Sequence, residues 1–255
     1  MNLKIMKQQT SWENSSKWYG GIVGDKGHYF HQAVIFPKIK QLIDLKNIKS
    51  VFDLGCGQGV WERQLNIHTE YVGLDMAESL IREARSRSLS PKHKFITADV
   101  SKSLPIKGNY YDLGVIILAL QNIKNVTGVV KNAKKHLKMG GQFLIVLNHP
   151  MFRIPRQSSW GMDENSKTQY RRIDGYMTEK EIPITTHPGK MNSQKTWSFH
   201  YPLSKYSHDL AKNGFVIELI DEWTSDKKST GSKAKMEDRA RREIPMFMAI
   251  LAKKI

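Results

Sequence analysis

Three glycines and three aspartates are spaced as a ligand site. Gly55, Gly57 and Gly59 follow the apolar run Val51-Phe52-Asp53-Leu54. Glycines just past a strand allow a tight turn and close backbone approach to a ligand at the next helix N-terminus. Asp53 stands two residues before the first glycine. Asp75 ends the run Glu70-Tyr71-Val72-Gly73-Leu74-Asp75, and Asp99 ends Lys94-Phe95-Ile96-Thr97-Ala98-Asp99. Asp75 lies 16 residues after Gly59, close to the spacing of a carboxylate that accepts from both hydroxyls of a ribose. Asp99 is placed to accept from an adenine amino group, with Met76 and Val100 as apolar covers for the ring. A Gly-x-Gly-x-Gly alone is a weak signal, and one aspartate at a strand end can simply cap a turn. Acids ending three successive strands converge on one sheet edge and make the signal strong.

The charge at Asp53 selects among ligands. A carboxylate there repels the pyrophosphate of a dinucleotide but attracts a ligand carrying an ammonium and a sulfonium. In a partly desolvated cleft that attraction is on the order of a few kcal/mol. The pattern favours S-adenosylmethionine over a nicotinamide dinucleotide.

The elements that must hold these groups alternate. Five strand-like runs, Val51–Leu54, Glu70–Asp75, Lys94–Asp99, Tyr111–Leu120 and Gln142–Leu147, are separated by helical patterns at Val60–Leu65, Ala77–Arg87 and Asn122–Lys138. Such alternation predicts βαβ units and a mostly parallel, doubly wound sheet. The near-continuous apolar fourth and fifth runs fit strands covered on both faces. Upstream, Gln32–Leu45 reads as a first helix. Downstream, Ser204 is the expected N-cap of a helix to Lys212 that stops at Asn213-Gly214, and strands follow at Phe215–Glu222 and Pro245–Ala252. Ser225–Arg242 reads as a charged loop running into a helix. Asn148–Leu203 breaks the rhythm, with two β-like runs at Glu181–His187 and Thr196–Tyr201.

The run Asp53-Leu54-Gly55-Cys56-Gly57-Gln58-Gly59, with Tyr71–Asp75, Ala98-Asp99, Tyr111-Asp112 and Leu137–Gly141, resembles the class I S-adenosylmethionine-dependent methyltransferases. Phe199–Ser204 and Asn213–Phe215 look like the small-molecule branch, which includes quinone-type enzymes. The resemblance implies a Rossmann-like sheet of seven strands whose last strand, Pro245–Ala252, is antiparallel. It implies donor contacts from Asp53, Gly55, Cys56, Gly57, Asp75, Met76, Asp99, Val100 and Leu118. It also implies an N-terminal cap, residues 1–45, folded over the donor with Tyr19 and His31 in reach. Residues 46–255 would form the methyltransferase domain, with residues 150–203 as a lid between the fifth and sixth strands.

The acceptor is expected above the ends of the fourth and fifth strands. His149 is placed there as a candidate general base, since imidazole titrates near neutral pH. Gln121 and Asn148 could orient the acceptor, and Arg153, Trp160, Trp197 and His200 of the insertion suit a planar or anionic molecule. The fourth strand ends Leu118-Ala119-Leu120-Gln121-Asn122 and lacks the Asn/Asp-Pro-Pro-Tyr/Phe run of many nucleic-acid amino methyltransferases. Cys56 lies in the glycine loop, which disfavours a cysteine-nucleophile route to pyrimidine methylation. His28 and His31 have metal-like spacing, but no third ligand accompanies them, and no metal is expected.

Composition bounds the rest. The chain has 255 residues, 40% hydrophobic, enough for a substantial core. One cysteine excludes an intrachain disulfide and suits a reducing, cytoplasmic setting. Val115–Leu120 is far short of the roughly 20 apolar residues of a membrane span, and Met1–Ser11 shows no secretory signal. Forty Lys plus Arg against 24 Asp plus Glu give a net charge of +16. That field attracts polyanions, so RNA stands as the alternative acceptor to a small molecule. A non-catalytic donor-binding module is the third reading, and the intact donor acids oppose it. The sequence leaves the oligomeric state open.

Overall fold

The computed structural model describes residues 12–185 and 195–255. His187 and Met1–Ser11 lie outside them. The chain runs α1 (Ser16–Val23), α2 (Phe36–Leu42), β1 (Ser50–Leu54), β2 (Glu70–Asp75), α3 (Glu78–Ser86), β3 (His93–Thr97), β4 (Tyr111–Ile117), α4 (Val126–His136) and β5 (Leu137–Asn148). Then come β6 (Ser158–Asp163), β7 (Thr168–Ile173), β8 (Lys180–Thr185), β9 (Lys195–His200), α5 (Leu203–Lys212), β10 (Phe215–Trp223), α6 (Ala234–Glu243) and β11 (Phe247–Lys254).

Seven strands form one sheet in the order β10-β11-β5-β4-β1-β2-β3. The pairs β5-β4, β4-β1, β1-β2 and β2-β3 are parallel, and β11 is antiparallel to both β5 and β10. This is the doubly wound sheet with an antiparallel last strand that the sequence predicts. Alternating side chains send Phe52 and Leu54 to one face and Val51 to the other, and each face carries its own core. Val129, Val130 and Leu210 from α4 and α5 cover the first, and Ile39, Ile81 and Ala84 from α2 and α3 the second. The strand ends at Leu54, Asp75, Ile117 and Asn148 therefore open along one edge, between the two helical layers.

Several boundaries differ from expectation for local reasons. The expected first helix at Gln32–Leu45 begins as a π-helical turn at His31–Ile35, and α2 restarts at Phe36. Pro37 has no N–H to continue the preceding ladder, so it serves in the first turn of a new helix. Val60–Leu65 keeps only one 3₁₀ turn, Glu62–Gln64, because Val60, Trp61 and Leu65 are all drawn into the core. The stretch Asn122–Lys138 starts late, where the Asn125 side chain accepts from the Gly128 N–H at 2.9 Å, and gives way to β5 at Leu137. α5 begins at Leu203 after the extended Pro202, so Ser204 lies inside the helix rather than at its cap.

The insertion contains two hairpins, β6-β7 and β8-β9. The first was not legible in the sequence. Its strands, Ser158-Ser-Trp-Gly-Met-Asp163 and Thr168-Gln-Tyr-Arg-Arg-Ile173, carry no apolar alternation, and neither face is buried.

Candidate functional site

The glycine loop is shaped by its neighbours. Gly55 and Cys56 both donate backbone N–H groups to the Leu74 carbonyl, at 2.7 and 3.0 Å, which folds the loop back against β2. Gly55 has φ +77°, and a Cβ there would stand 2.5 Å from the Cβ of Ala119. Glycine alone fits the passage between β1 and the end of β4. Gly57 donates its N–H to Oδ2 of Asp75 at 2.9 Å, while Ala77 donates to Oδ1 at 2.9 Å. Asp75 is thereby fixed with both oxygens at the mouth of a cleft, each with a lone pair to spare.

That cleft is lined by Gly55, Gly57, Asp75, Met76, Val100 and Leu118, all anticipated from the sequence, and by Tyr19. Tyr19 reaches it from α1; its ring comes within 3.7 Å of where a Gly57 Cβ would be. Gln58 secures the cap by donating to the Gly24 carbonyl at 2.6 Å, and Arg63 donates to the Asp25 carbonyl at 2.7 Å. Burial, reinforced by Asp75, raises the Tyr19 hydroxyl above its ordinary range. Trp12, Leu80, Ala119, Asn122 and Ile123 also line the cleft and were missed. Asn122 and Ile123 follow the β4 end, a usable signal; Trp12 gave none beyond being aromatic. Leu118 has φ +53°, a strained conformation for leucine, held as its N–H bonds the Val146 carbonyl at 2.7 Å.

Four of the expected donor residues are not among those lining the cleft. Asp53 is 2% exposed beneath the loop, where its carboxylate accepts from the Tyr71 hydroxyl at 2.8 Å. Cys56 is buried and packs its sulfur over Gly73, inside the core. Asp99 accepts from the Ser101 N–H and hydroxyl, at 3.0 and 2.7 Å, and pairs with Lys102. It closes its own turn, because Ser101 satisfies it locally. His31 is buried and stacks on Phe36, away from the cleft, and burial depresses its pKa to about 3.

Burial pushes the Asp53 carboxyl up to about 7, although the Tyr71 hydrogen bond opposes the shift and the Asp75 charge adds to it. Asp53 is therefore neutral below that pH and ionised above. A cation bound in the cleft favours the ionised form, so its binding must strengthen as pH rises. We expect S-adenosylmethionine affinity to increase from about pH 6 to about 7.5, with the rise flattened in Asp53→Asn. Calorimetric titrations at stepped pH check this, and a pH-independent wild type would contradict it.

Beyond the end of β4 the cleft gives way to a recess lined by Gln121, Asn148, His149, Arg153, Phe199 and His200. Four of the six expected acceptor residues meet there. Gln121 donates to the Leu118 carbonyl at 2.8 Å, leaving its buried Oε1 without a partner among the described residues. His200 bonds the Tyr176 carbonyl at 2.7 Å through Nε2. Trp197 packs against the core below β9, and Trp160 lies in an adjoining basin.

His149, the expected general base, lines the recess and is held on both ring nitrogens. Its Nε2 lies 2.5 Å from Glu222, and Nδ1 accepts from the Met151 and Phe152 N–H groups at 3.2 and 3.3 Å. The network assigns the proton to Nε2 and leaves neither nitrogen a free lone pair. His149 brackets the end of β5 to β10.

Residues 52–145 match the family model of a methyltransferase domain. That stretch holds the glycine loop and β1 to β5, so the sequence likeness to methyltransferase domains covers the half of the sheet that builds the cleft. Its fold is similar to that of an S-adenosylmethionine-dependent methyltransferase from Mesorhizobium loti: TM-score 0.70, 23% identity, 87% of this chain and 98% of the other. A demethylmenaquinone methyltransferase of Lactococcus lactis is 26% identical over 145 residues, 54% of this chain and 56% of that protein. An 18S rRNA (guanine(1575)-N(7))-methyltransferase of Saccharomyces cerevisiae is 25% identical over 126 residues, 44% of this chain and 45% of that one. The matches span about half the length of each of these two relatives. The residues of the cleft fit S-adenosylmethionine: a bare glycine backbone, one carboxylate at the mouth and apolar walls from Met76, Val100 and Leu118. No helix among the described residues is long and apolar enough to cross a membrane.

Proposed function

We propose that this methyltransferase domain methylates a small molecule held in the recess beyond β4 and β5. The observation that carries this reading is the lining of the recess. Gln121 and Asn148 share it with Ser198, Phe199 and His200 of β9 and with Tyr206 of α5, the first three within the insertion. Hydrogen-bonding groups beside rings in a small recess suit a compact molecule better than a polymer. S-adenosylmethionine supplies an electrophilic methyl group on a sulfonium. Gly55, Gly57 and Asp75 would hold it, with Tyr19 as cover. The chain's own part is alignment. Gln121 Oε1, fixed through its amide and otherwise unpartnered, accepts from an acceptor N–H or O–H and sets its approach. The described parts of the insertion, residues 150–185 and 195–203, act as the lid, and residues 12–45 as the cap of the donor.

RNA is the second reading, favoured by the net charge of +16 and by the name of the yeast relative. Labelled S-adenosylmethionine incubated side by side with a metabolite extract and with total RNA separates the two. We expect label in a small organic product and none in RNA at physiological salt, where residual RNA binding falls steeply as salt is raised. Label in RNA alone would overturn the small-acceptor reading.

A further inference from the structure

Next to the recess lies a second basin with an unusual balance of charge. Arg153 lines both cavities, so they adjoin at its side chain. In the basin Arg153 is joined by Arg171 from β7 and by Lys227, with Trp160, Phe30 and Phe152 as aromatic walls. Arg241 also reaches it but is balanced by Glu237 and Asp238.

The other three cations have no such balance. Among the described residues the Arg153 guanidinium makes no hydrogen bond and no ion pair. Arg171 donates to the Phe152 carbonyl and to the Ser158 hydroxyl, both at 2.8 Å, and sits 5.1 Å over the Trp160 ring. Lys227 lies 5.0 Å from the Phe30 ring and 4.8 Å from that of Tyr29. No carboxylate lines the basin. Acids close in sequence are engaged elsewhere, Asp226 with the Tyr29 hydroxyl, Glu222 with His149 and Glu243 with Arg239. Burial disfavours both the Arg153 and Arg171 charges, and the neighbouring Arg153 charge adds to the effect on Arg171. Uncompensated guanidinium groups held together by other contacts are stabilised when an anion arrives.

We propose that this basin binds a planar ring carrying an anionic group, carboxylate or phosphate, with the anion on Arg153 and the ring against Trp160. If the acceptor is small, as proposed above, the basin holds its anionic end while its reacting end enters the recess past Arg153. The guanidinium fork recognises either anion bidentately, and the Arg171-backed indole offers a flat, rigid face. Arg171 also ties β7 to Phe152, so it orders the basin as well as charging it.

Ligand-observed NMR titration of the full chain tests this. The probes are phenyl phosphate, benzoate, neutral benzyl alcohol and inorganic phosphate. Saturable binding of a charged ring, at least about tenfold tighter than benzyl alcohol or inorganic phosphate, is the expected result. The stronger of phenyl phosphate and benzoate identifies the natural anion. Arg153→Ala should weaken that binding by about tenfold or more, with Arg153→Lys intermediate. Arg172→Ala, on the opposite side of β7 and paired with Asp174, should leave it unchanged. Equal binding of benzyl alcohol, or wild-type binding by a folded Arg153→Ala, would overturn the proposal. So would displacement of phenyl phosphate by a short single-stranded RNA at equal phosphate concentration. S-adenosylmethionine binding is measured on the same samples. Donor bound without phenyl phosphate refutes the basin alone, and loss of donor binding refutes the methyltransferase reading.

Discussion

Asp75→Ala is expected to weaken S-adenosylmethionine binding by ~1–3 kcal/mol, about a five- to 150-fold rise in Kd. Two losses combine. The carboxylate is the acidic group exposed at the cleft mouth, placed to accept charge-assisted bonds from ribose hydroxyls. The same oxygens hold the Gly57 and Ala77 N–H groups, each at 2.9 Å, so alanine also releases the glycine loop. Asp75→Asn keeps one acceptor oxygen and should fall between wild type and alanine. Calorimetry with circular dichroism on each variant reads affinity and folding separately. Unchanged affinity in folded Asp75→Ala would remove this residue from the donor site.

Gly55→Ala should act through shape. A methyl group at Gly55 meets the Ala119 Cβ at 2.5 Å, and φ is +77°. Overpacking of this kind costs about 1–3 kcal/mol, and the left-handed conformation adds roughly 1 kcal/mol. Gly231 offers the control: its φ is +87°, but nothing lies within 4 Å of its added Cβ. Gly231→Ala should show the cost of a positive φ without a clash. Urea unfolding compares the two, and Gly55→Ala with Ala119→Gly should recover part of the loss, since the clash needs both methyl groups. A Gly55→Ala chain as stable as Gly231→Ala would show that the loop relaxes freely.

The sheet was legible because its central strands are buried on both faces and lie between helical periodicities. Val51–Leu54, Glu70–Asp75 and Tyr111–Ile117 have no alternative use for their apolar runs. The donor loop was legible for a related reason, since its turns at Gly55, Gly57 and Gly59 need the positive φ that glycine adopts freely. What sequence could not separate was an aspartate facing a ligand from one satisfied locally. Asp75 and Asp99 both end strands, but Ser101 sits two residues after Asp99 and captures it. His149 was similarly ambiguous. Its two partners, Glu222 and the turn at Met151-Phe152, are contributed by tertiary packing and by a turn that no periodicity announces. The β6-β7 hairpin escaped because its stability comes from pairing and from Arg171 bridging to Phe152, not from an apolar face. The unbalanced basin beside it follows from chain segments separated by about the whole molecule, Phe30 to Arg241, so its charges could be counted but not assembled.

Equilibrium binding of S-adenosylmethionine to the unmodified full-length chain, by calorimetry near neutral pH, is the most direct test. The cleft formed by Gly55, Gly57 and Asp75 predicts one molecule bound per chain, displaced by S-adenosylhomocysteine and not by NAD. Absence of saturable binding, or preference for the dinucleotide, would contradict the assignment of this cleft to the methyl donor.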